Sequence, residues 1–162
     1  MLDIDSLGFR YGEKEILHDI SFSADRGSVV SILGPNGVGK TTLLKCICSL
    51  HRPSSGIVTV GGKDVSAMTS RERAKHIAYV PQSAIPGAIS VFDTVLIGRR
   101  PYIQWSATRN DLEIAWSSME SMKIDHIHAR HTDRISGGEF QKTQICRAVV
   151  QEPEVLVMDE PT

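Results

Sequence analysis

Residues 34–42 constrain the fold more than any other part of the chain, and they read Gly-Pro-Asn-Gly-Val-Gly-Lys-Thr-Thr. They fit the pattern G-x-x-x-x-G-K-S/T, whose fixed positions are Gly34, Gly39, Lys40 and Thr41. The apolar segment Val29–Leu33 before the loop predicts a strand, and the apolar spacing after it predicts a helix. This order directs backbone N–H groups and the positive end of a helix dipole at one anion. The segment therefore predicts a nucleoside triphosphate site.

Two side chains of this loop have the chemistry that a triphosphate requires. The ammonium of Lys40 can reach the β- and γ-phosphates, and the hydroxyl of Thr41 can hold Mg²⁺. The alternative is a glycine-rich turn that binds nothing, which the strand before and the helix after disfavour. The expected nucleotide contacts are Gly34, Pro35, Asn36, Gly37, Gly39, Lys40, Thr41 and Thr42.

A second candidate site follows the apolar residues Val155–Met158, which predict a buried strand. Asp159 and Glu160 come directly after it, at the carboxyl end where parallel sheets place their ligand sites. Asp159 can hold Mg²⁺, and Glu160 can act as general base on the attacking water. Taken alone, an acidic pair that only ends a strand is an equally good interpretation. Beside residues 34–42, the catalytic interpretation is favoured.

The third candidate site is the N-terminus of a predicted helix that runs from about residue 136 to Gln151. Ser136 presents a hydroxyl there, and Gly137 and Gly138 present backbone amides without side chains. Together they form a second phosphate-binding device. The alternative is an ordinary serine cap followed by a flexible glycine pair.

The fourth candidate is Gln82, which stands at the exit of the predicted strand Ile77–Val80, after Pro81. Its amide can reach Mg²⁺ or the attacking water. Standing alone, a polar loop residue would be the better interpretation.

Together these motifs resemble the nucleotide-binding subunit of ABC transporters, over the whole chain. In that family residues 34–42 correspond to the Walker A motif, residues 155–160 to Walker B, and Gln82 to the Q-loop glutamine. Residues 136–139 match the family signature, with Ile135 and Glu139 in place of the commoner Leu and Gln. Tyr11 matches the aromatic residue that stacks on adenine, and its alternative role is core packing.

The resemblance implies a role for each of these residues, with ATP and Mg²⁺ as cofactors. The implied catalytic residues are Glu160, Gln82 and Lys40. The implied magnesium ligands are Thr41, Gln82 and Asp159. The residues that would contact the nucleotide of a partner chain are Ser136, Gly137, Gly138 and Glu139. It follows that two copies would stack head to tail, with each ATP held between both chains.

Residues 90–103 carry a finer resemblance, to the importer ATPases that serve ferric siderophores, haem and cobalamin. In that group this region faces the membrane permease. The implied partners are therefore a second copy, a transmembrane permease and, indirectly, a periplasmic or surface substrate-binding protein. The implied location is the cytoplasmic face of the membrane. The alternative is a generic helix whose Arg99 and Arg100 suit the dipole at its C-terminal end.

Composition narrows the class of protein. The 162 residues suit one domain, with 41% hydrophobic and 23% charged residues as in soluble globular proteins. The net charge of −1 argues against a nucleic-acid partner. No apolar run approaches the ~20 residues that span a bilayer, and the N-terminus lacks a signal-peptide pattern. Buried thiols are expected at Cys46, Cys48 and Cys146, and a solvated loop rather than a metal site at His126, His128 and His131.

The predicted fold class is α/β. By resemblance it is a P-loop NTPase of the RecA-like type, with a parallel core, an N-terminal antiparallel β subdomain and a helical signature subdomain. Local patterns predict two strands within residues 2–23, a strand at 57–60 and a helix start near Thr69. A second helix is capped by Thr108, with an apolar packing face of Leu112, Ala115, Trp116, Met119 and Met122.

The resemblance also implies that residues 1–162 form one incomplete nucleotide-binding domain. Its parts are the β subdomain with the loop core at 1–82, the helical subdomain at about 83–150 and the Walker B strand at 151–162. Family members continue further and supply another strand between those carrying Gly34 and Asp159. We therefore expect the chain alone to fold poorly and to hydrolyse no ATP. The alternative functions are a soluble non-transport ABC ATPase and an inactive nucleotide-binding fragment.

Overall fold

The structure, a computed structural model, describes residues 1–159. The chain forms two compact units, Met1–Arg73 and Ala74–Thr162, and each is built around its own strands and helices. Among the helices of the described residues, none combines the length and apolar character needed to cross a bilayer.

The first unit contains an antiparallel sheet. Its strands are β1 (Leu2–Tyr11), β2 (Lys14–Ala24), β3 (Ser55–Val60) and β4 (Lys63–Asp64), in the order β2-β1-β3-β4. The two predicted N-terminal strands are thereby confirmed, and β3 begins two residues before the predicted start.

A bulge in β1 keeps its apolar side chains on the buried side. Leu2 and Ile4 alternate with more exposed residues, but the exposed pair Asp5 and Ser6 interrupts the period of two. The pairing with β2 shifts between Ile4 and Leu7, and Ser6 has a φ of 51°. An inserted residue of this kind restores the phase of a strand. Leu7 is therefore fully buried despite the interruption.

The first unit contains one complete helix and the start of a second. Helix α1 (Lys40–Ile47) follows the glycine loop as predicted, and it buries Leu43, Cys46 and Ile47. Helix α2 (Ser70–His76) starts where the pattern predicts, because the Thr69 hydroxyl accepts the Glu72 N–H at 3.2 Å. The three cysteines are buried free thiols, as expected, and burial raises the pKa of Cys46 to about 11.

The prediction of a strand at Val29–Leu33 is wrong. These residues have no strand assignment, and the side chains of Val29 and Leu33 are 92% and 90% exposed. A strand requires a neighbour to receive its backbone hydrogen bonds, and within residues 1–159 no strand pairs with this segment. The apolar pattern thus predicted a strand for which the described residues offer no pairing partner.

The second unit combines a two-stranded parallel sheet with helices. Strands β5 (Ile77–Val80) and β6 (Val155–Met158) pair in parallel, with Ile77 opposite Val155 and Val80 opposite Met158. Both predicted strands are confirmed, but the predicted burial of β6 is wrong, because Leu156 and Met158 are 37% and 42% exposed. Between them lie α3 (Val91–Ile97), α4 (Arg109–Ser121) and α5 (Gly137–Val149), with short 3-10 turns before α5.

A core between these helices holds the second unit together. Its fully buried members are Val91, Val95, Ala115, Met119, Ile124, Ile127, Cys146 and Val150.

The Thr108 cap is confirmed, because its hydroxyl accepts the Asp111 N–H and the Asp111 carboxylate accepts the Thr108 N–H. The predicted packing face of α4 is only partly correct. Ala115 and Met119 are buried, whereas Leu112 and Trp116 remain 41% and 38% exposed.

Arg99 is a buried ion-pair residue rather than an exposed cation at a helix end. It lies beyond the end of α3 and is 3% exposed. Its guanidinium donates to Asp111 at 3.1 Å, to Glu152 at 2.6 Å and to the Val150 carbonyl at 2.7 Å. Hydrogen bonds from Thr108 and then Arg99 hold the pKa of Asp111 below its usual range. This network ties the segment after α3 to the start of α4 and the end of α5.

Replacing this buried cation should destabilise the fold much more than breaking an exposed ion pair. We expect Arg99→Met to lower the free energy of unfolding by about 3–5 kcal/mol, because it leaves the Asp111 carboxylate buried without its partner. The matched control is Arg109→Gln, which breaks the exposed Arg109–Glu113 pair and should cost less than about 1 kcal/mol. Urea unfolding measures both, and equal losses would contradict a structural role for the buried network.

Candidate nucleotide-binding site

The glycine loop of the first unit has the backbone curl that the sequence predicts. Gly37 and Gly39 have φ values of 80° and 109°, in the left-handed region that favours glycine. Gly39 caps α1, and its carbonyl accepts the Leu43 N–H at 2.9 Å. The helix therefore starts at Lys40, immediately after the loop. The N-terminus of a helix attracts anions, because the positive end of the helix dipole lies there.

Gly39 is required for a second reason, the close approach of strand β2. A Cβ at this position would lie 3.1 Å from Ile16 Cγ2 and 3.2 Å from Leu17 Cδ2. These distances are shorter than ordinary van der Waals contact. Packing against β2 thus fixes the end of the loop to the sheet.

The Lys40 side chain folds back over the loop. Its Nζ donates to the carbonyl of Gly34 at 2.8 Å and to that of Pro35 at 3.1 Å. Residues 33–38 are exposed, so an anion from solvent can approach the loop and the ammonium of Lys40. A lysine here supplies a mobile positive charge that can exchange carbonyl oxygens for phosphate oxygens.

Tyr11 lies at the tip of the β1–β2 hairpin, in the same unit as the loop. Its ring packs edge-on against Phe9 at 4.8 Å and against His51 at 5.8 Å between centroids. Its hydroxyl and the His51 Nε2 are 3.0 Å apart. Half of the side chain, 52%, is exposed. Tyr11 is thus held by neighbours on part of its surface, and enough of it stays accessible to stack on a base.

In the second unit, parallel pairing brings Asp159 and the strand before Gln82 to one edge. Asp159 directly follows β6, and its N–H donates to the Val80 carbonyl at 3.0 Å. Its side chain is only 3% exposed, and its Oδ2 accepts a hydrogen bond from the Tyr79 hydroxyl at 3.1 Å. Gln82 follows β5 by two residues and is exposed. Both polar residues therefore lie at the carboxyl end of the strand pair, as predicted.

The signature segment forms the N-terminus of α5. Ser136 caps the helix, and the Glu139 Oε2 accepts both its hydroxyl at 2.7 Å and its N–H at 2.8 Å. These bonds lower the pKa of Glu139. Residues 136–138 are exposed, and a Cβ at Gly137 or Gly138 would meet nothing within 4 Å. The predicted helix start and cap are confirmed, while binding of a partner's nucleotide stays a prediction.

The predicted magnesium ligands are chemically consistent with that ion. A threonine hydroxyl, a glutamine amide and an aspartate carboxylate all offer the hard oxygen atoms that Mg²⁺ prefers. Asp159 is the only carboxylate among Thr41, Gln82 and Asp159. In the part of the chain that the structure describes, no three His, Cys, Asp or Glu side chains are grouped to hold a metal. Glu160, the predicted general base, lies outside the described residues.

Sequence patterns do not point to two residues that contact the candidate site residues. From the sequence, Tyr79 is an ordinary member of the predicted apolar strand Ile77–Val80, and His51 is a loop residue after α1. Only the tertiary structure brings Tyr79 to Asp159 and His51 to Tyr11. The β5–β6 register, which the structure provides, explains why Tyr79 reaches Asp159.

Comparison with known proteins agrees with these motifs. The profile of the family described as ABC transporter matches residues 17–162. An uncharacterized ABC transporter ATP-binding protein of Methanocaldococcus jannaschii is 43% identical over 162 residues, which are 100% of this chain and 64% of that protein.

Two further relatives have named substrates. A hemin import ATP-binding protein of Pseudomonas entomophila is 35% identical, covering 100% of this chain and 65% of that protein. A phosphonates import ATP-binding protein of Rhodopseudomonas palustris is 36% identical, covering 99% and 63%. The chain therefore spans less than two thirds of the length of these curated relatives.

Solved structures share the fold. A metal-chelate type ABC transporter in an inward-facing conformation matches 99% of this chain and 60% of its own, with a TM-score of 0.84 at 31% identity. A nucleotide-free ATP-binding cassette of an ABC transporter matches 100% of this chain and 69% of its own, with a TM-score of 0.86 at 27% identity. The predicted fold class is thereby confirmed.

A methyl group at Gly39 should disturb both the loop and its anchor to the sheet. We expect Gly39→Ala to lower the free energy of unfolding by about 1–3 kcal/mol, because alanine is strained at this φ and meets Ile16. The same change should weaken ATP binding. Gly87→Ala is the control, since a Cβ there meets nothing within 4 Å and its φ is not positive. Thermal melts and ATP titration check both variants, and indistinguishable behaviour would contradict the assigned role of Gly39.

Proposed function

Since the chain belongs to the ABC transporter family, we propose that it binds ATP and supplies the ATP-hydrolysing part of a transporter. The observation that carries the proposal is the glycine loop before α1. The left-handed Gly39, the helix start at Lys40 and the ammonium over the loop form a site for a polyanion. Tyr11, half exposed at the hairpin tip, would stack on adenine.

In the proposed reaction, each polar residue of the Walker and Q-loop motifs has one task. Thr41, Gln82 and Asp159 would hold Mg²⁺, which when bound offsets the negative charge of the phosphates. Lys40 would bind the β- and γ-phosphates and stabilise charge on the transferred group. Glu160 would accept a proton from the attacking water. The burial of Asp159 beside a hydrogen-bond donor supports its role, because it limits the orientations of the carboxylate.

We further propose that two copies share each ATP. Ser136, Gly137 and Gly138 would bind the nucleotide held by the loop of the partner chain. The exposed helix start of α5 supports this, because its amides are accessible to an outside anion. For that contact the Ser136 hydroxyl would turn from the Glu139 carboxylate to a phosphate oxygen.

The proposed transport direction is import, and the proposed cargo is an iron–siderophore complex, haem or cobalamin. The likeness of residues 90–103 to that importer group supports this cargo, as do the hemin import relative and the metal-chelate type structure. The phosphonates import relative is 36% identical and the hemin import relative 35%, so overall identity does not distinguish their cargoes. The proposal of an iron–siderophore complex, haem or cobalamin therefore depends on residues 90–103. The subunit would act at the cytoplasmic face of the membrane, bound to a permease that receives cargo from a binding protein.

The loop assignment predicts that one lysine dominates ATP affinity. Lys40→Ala should weaken ATP binding by about tenfold to a hundredfold, because a hydrogen bond to a charged group contributes about 1.5–3 kcal/mol. Lys45→Ala is the matched control, since it removes a cation from the last turn of the same helix. Equilibrium binding of a fluorescent ATP analogue measures both variants. Equal affinities in the two would overturn the phosphate-loop assignment.

The hydrolytic role of Glu160 has a separate test. Glu160→Gln keeps the shape of the side chain and removes the base. In a purified protein that carries the complete nucleotide-binding domain, ATP should bind as before while turnover slows by about a hundredfold or more. The same variant should accumulate as an ATP-bound dimer in sizing chromatography. Hydrolysis at the parental rate would show that another group activates the water.

A further inference from the structure

The Tyr79 hydroxyl contacts the one described carboxylate that the proposed function assigns to magnesium. Its Oη lies 3.1 Å from the Asp159 Oδ2, between two residues 80 positions apart in the sequence. Tyr79 is partly buried, and Asp159 is 3% exposed. The bond therefore lies at the edge of the strand pair, largely away from bulk water.

The strand register explains why these two side chains meet. Tyr79 on β5 is directly opposite Val157 on β6. Side chains two residues apart along a strand point to the same face, so Asp159 is on the face of Val157 and one diagonal step from Tyr79. Long aromatic side chains reach such diagonal neighbours. A shift of one residue in this pairing would send the tyrosine to the other face and break the contact.

The chemistry of the donor matters as much as its position. A buried carboxylate needs hydrogen-bond donors, and a phenol supplies one without adding a positive charge. A lysine or arginine in this place would offset the carboxylate's charge and compete with a cation. A carboxylate can accept about four hydrogen bonds, so a phenol O–H and a metal, or water bound to the metal, can share one carboxylate.

We propose that Tyr79 is a positioning residue for magnesium binding, which acts by holding the Asp159 carboxylate in one orientation. The inference rests on the proposed function, because it takes Asp159 as a ligand of the ion or of its water shell. Groups that hydrogen-bond to metal ligands commonly raise metal affinity by about tenfold to a hundredfold. Tyr79 would thus affect the metal-dependent part of ATP binding and leave the metal-free part unchanged.

The test is Tyr79→Phe, which removes the hydroxyl and keeps the ring. ATP affinity is measured on the purified protein with Mg²⁺ and again with a chelator, and Mn²⁺ affinity in the presence of ATP is measured by electron paramagnetic resonance. We expect the metal-free ATP affinity to change by less than about twofold, and the Mn²⁺ affinity to fall by about tenfold. A thermal melt records any loss of stability.

Tyr102→Phe is the matched control. Its hydroxyl also donates a hydrogen bond within the second unit, but to the Gln151 carbonyl at 3.0 Å. We expect this variant to keep parental Mn²⁺ affinity. If both tyrosine variants lower Mn²⁺ affinity equally, or if Tyr79→Phe lowers ATP affinity equally with and without metal, the positioning role is overturned.

A third variant separates this inference from the proposed function. Asp159→Asn should itself weaken Mn²⁺ binding, and adding Tyr79→Phe to it should then have no further effect. If Asp159→Asn leaves Mn²⁺ affinity unchanged, the assignment of Asp159 to the metal fails. If Asp159→Asn weakens Mn²⁺ binding and Tyr79→Phe does not, only the role of Tyr79 fails.

Discussion

The left-handed backbone at Gly39 is the constraint on which the first unit's proposed function depends. With a φ of 109°, it ends the loop, starts α1 at Lys40 and lets β2 approach closely enough to touch it. A residue with a Cβ is strained at this angle and would press against Ile16. Glycine therefore does three things at one position: it turns the backbone, it places the helix start directly after the loop, and it anchors the loop to the sheet.

The corresponding constraint in the second unit is the parallel register of β5 and β6. Parallel strands bring their carboxyl ends to one edge, and the residues just beyond them meet there although they are distant in sequence. This single pairing accounts for the place of Asp159, the strand exit toward Gln82 and the contact with Tyr79. The helical core around Met119 and Val95, with the buried Arg99 network, gives the segments between the two strands a fixed path.

Features that depend on neighbouring residues could be predicted from the sequence, and features that depend on which segments meet could not. The loop, the caps at Thr108 and Ser136, and the position of Asp159 after an apolar strand all follow from local spacing. The strand expected at Val29–Leu33 failed because strand formation requires a partner, which an apolar run does not reveal. The Arg99 ion pairs also escaped prediction, because a basic residue after a helix is usually solvated.

The central claim is that the backbone of residues 37–41 and the Lys40 ammonium bind the phosphates of ATP. A crystal structure of the protein with Mn²⁺ and a non-hydrolysable ATP analogue tests it directly. The account predicts phosphate oxygens within hydrogen-bond distance of the Gly39 and Lys40 N–H groups, with the Lys40 Nζ moved from the Gly34 carbonyl to a phosphate oxygen. An analogue bound elsewhere, with the Lys40–Gly34 contact intact, would contradict the account.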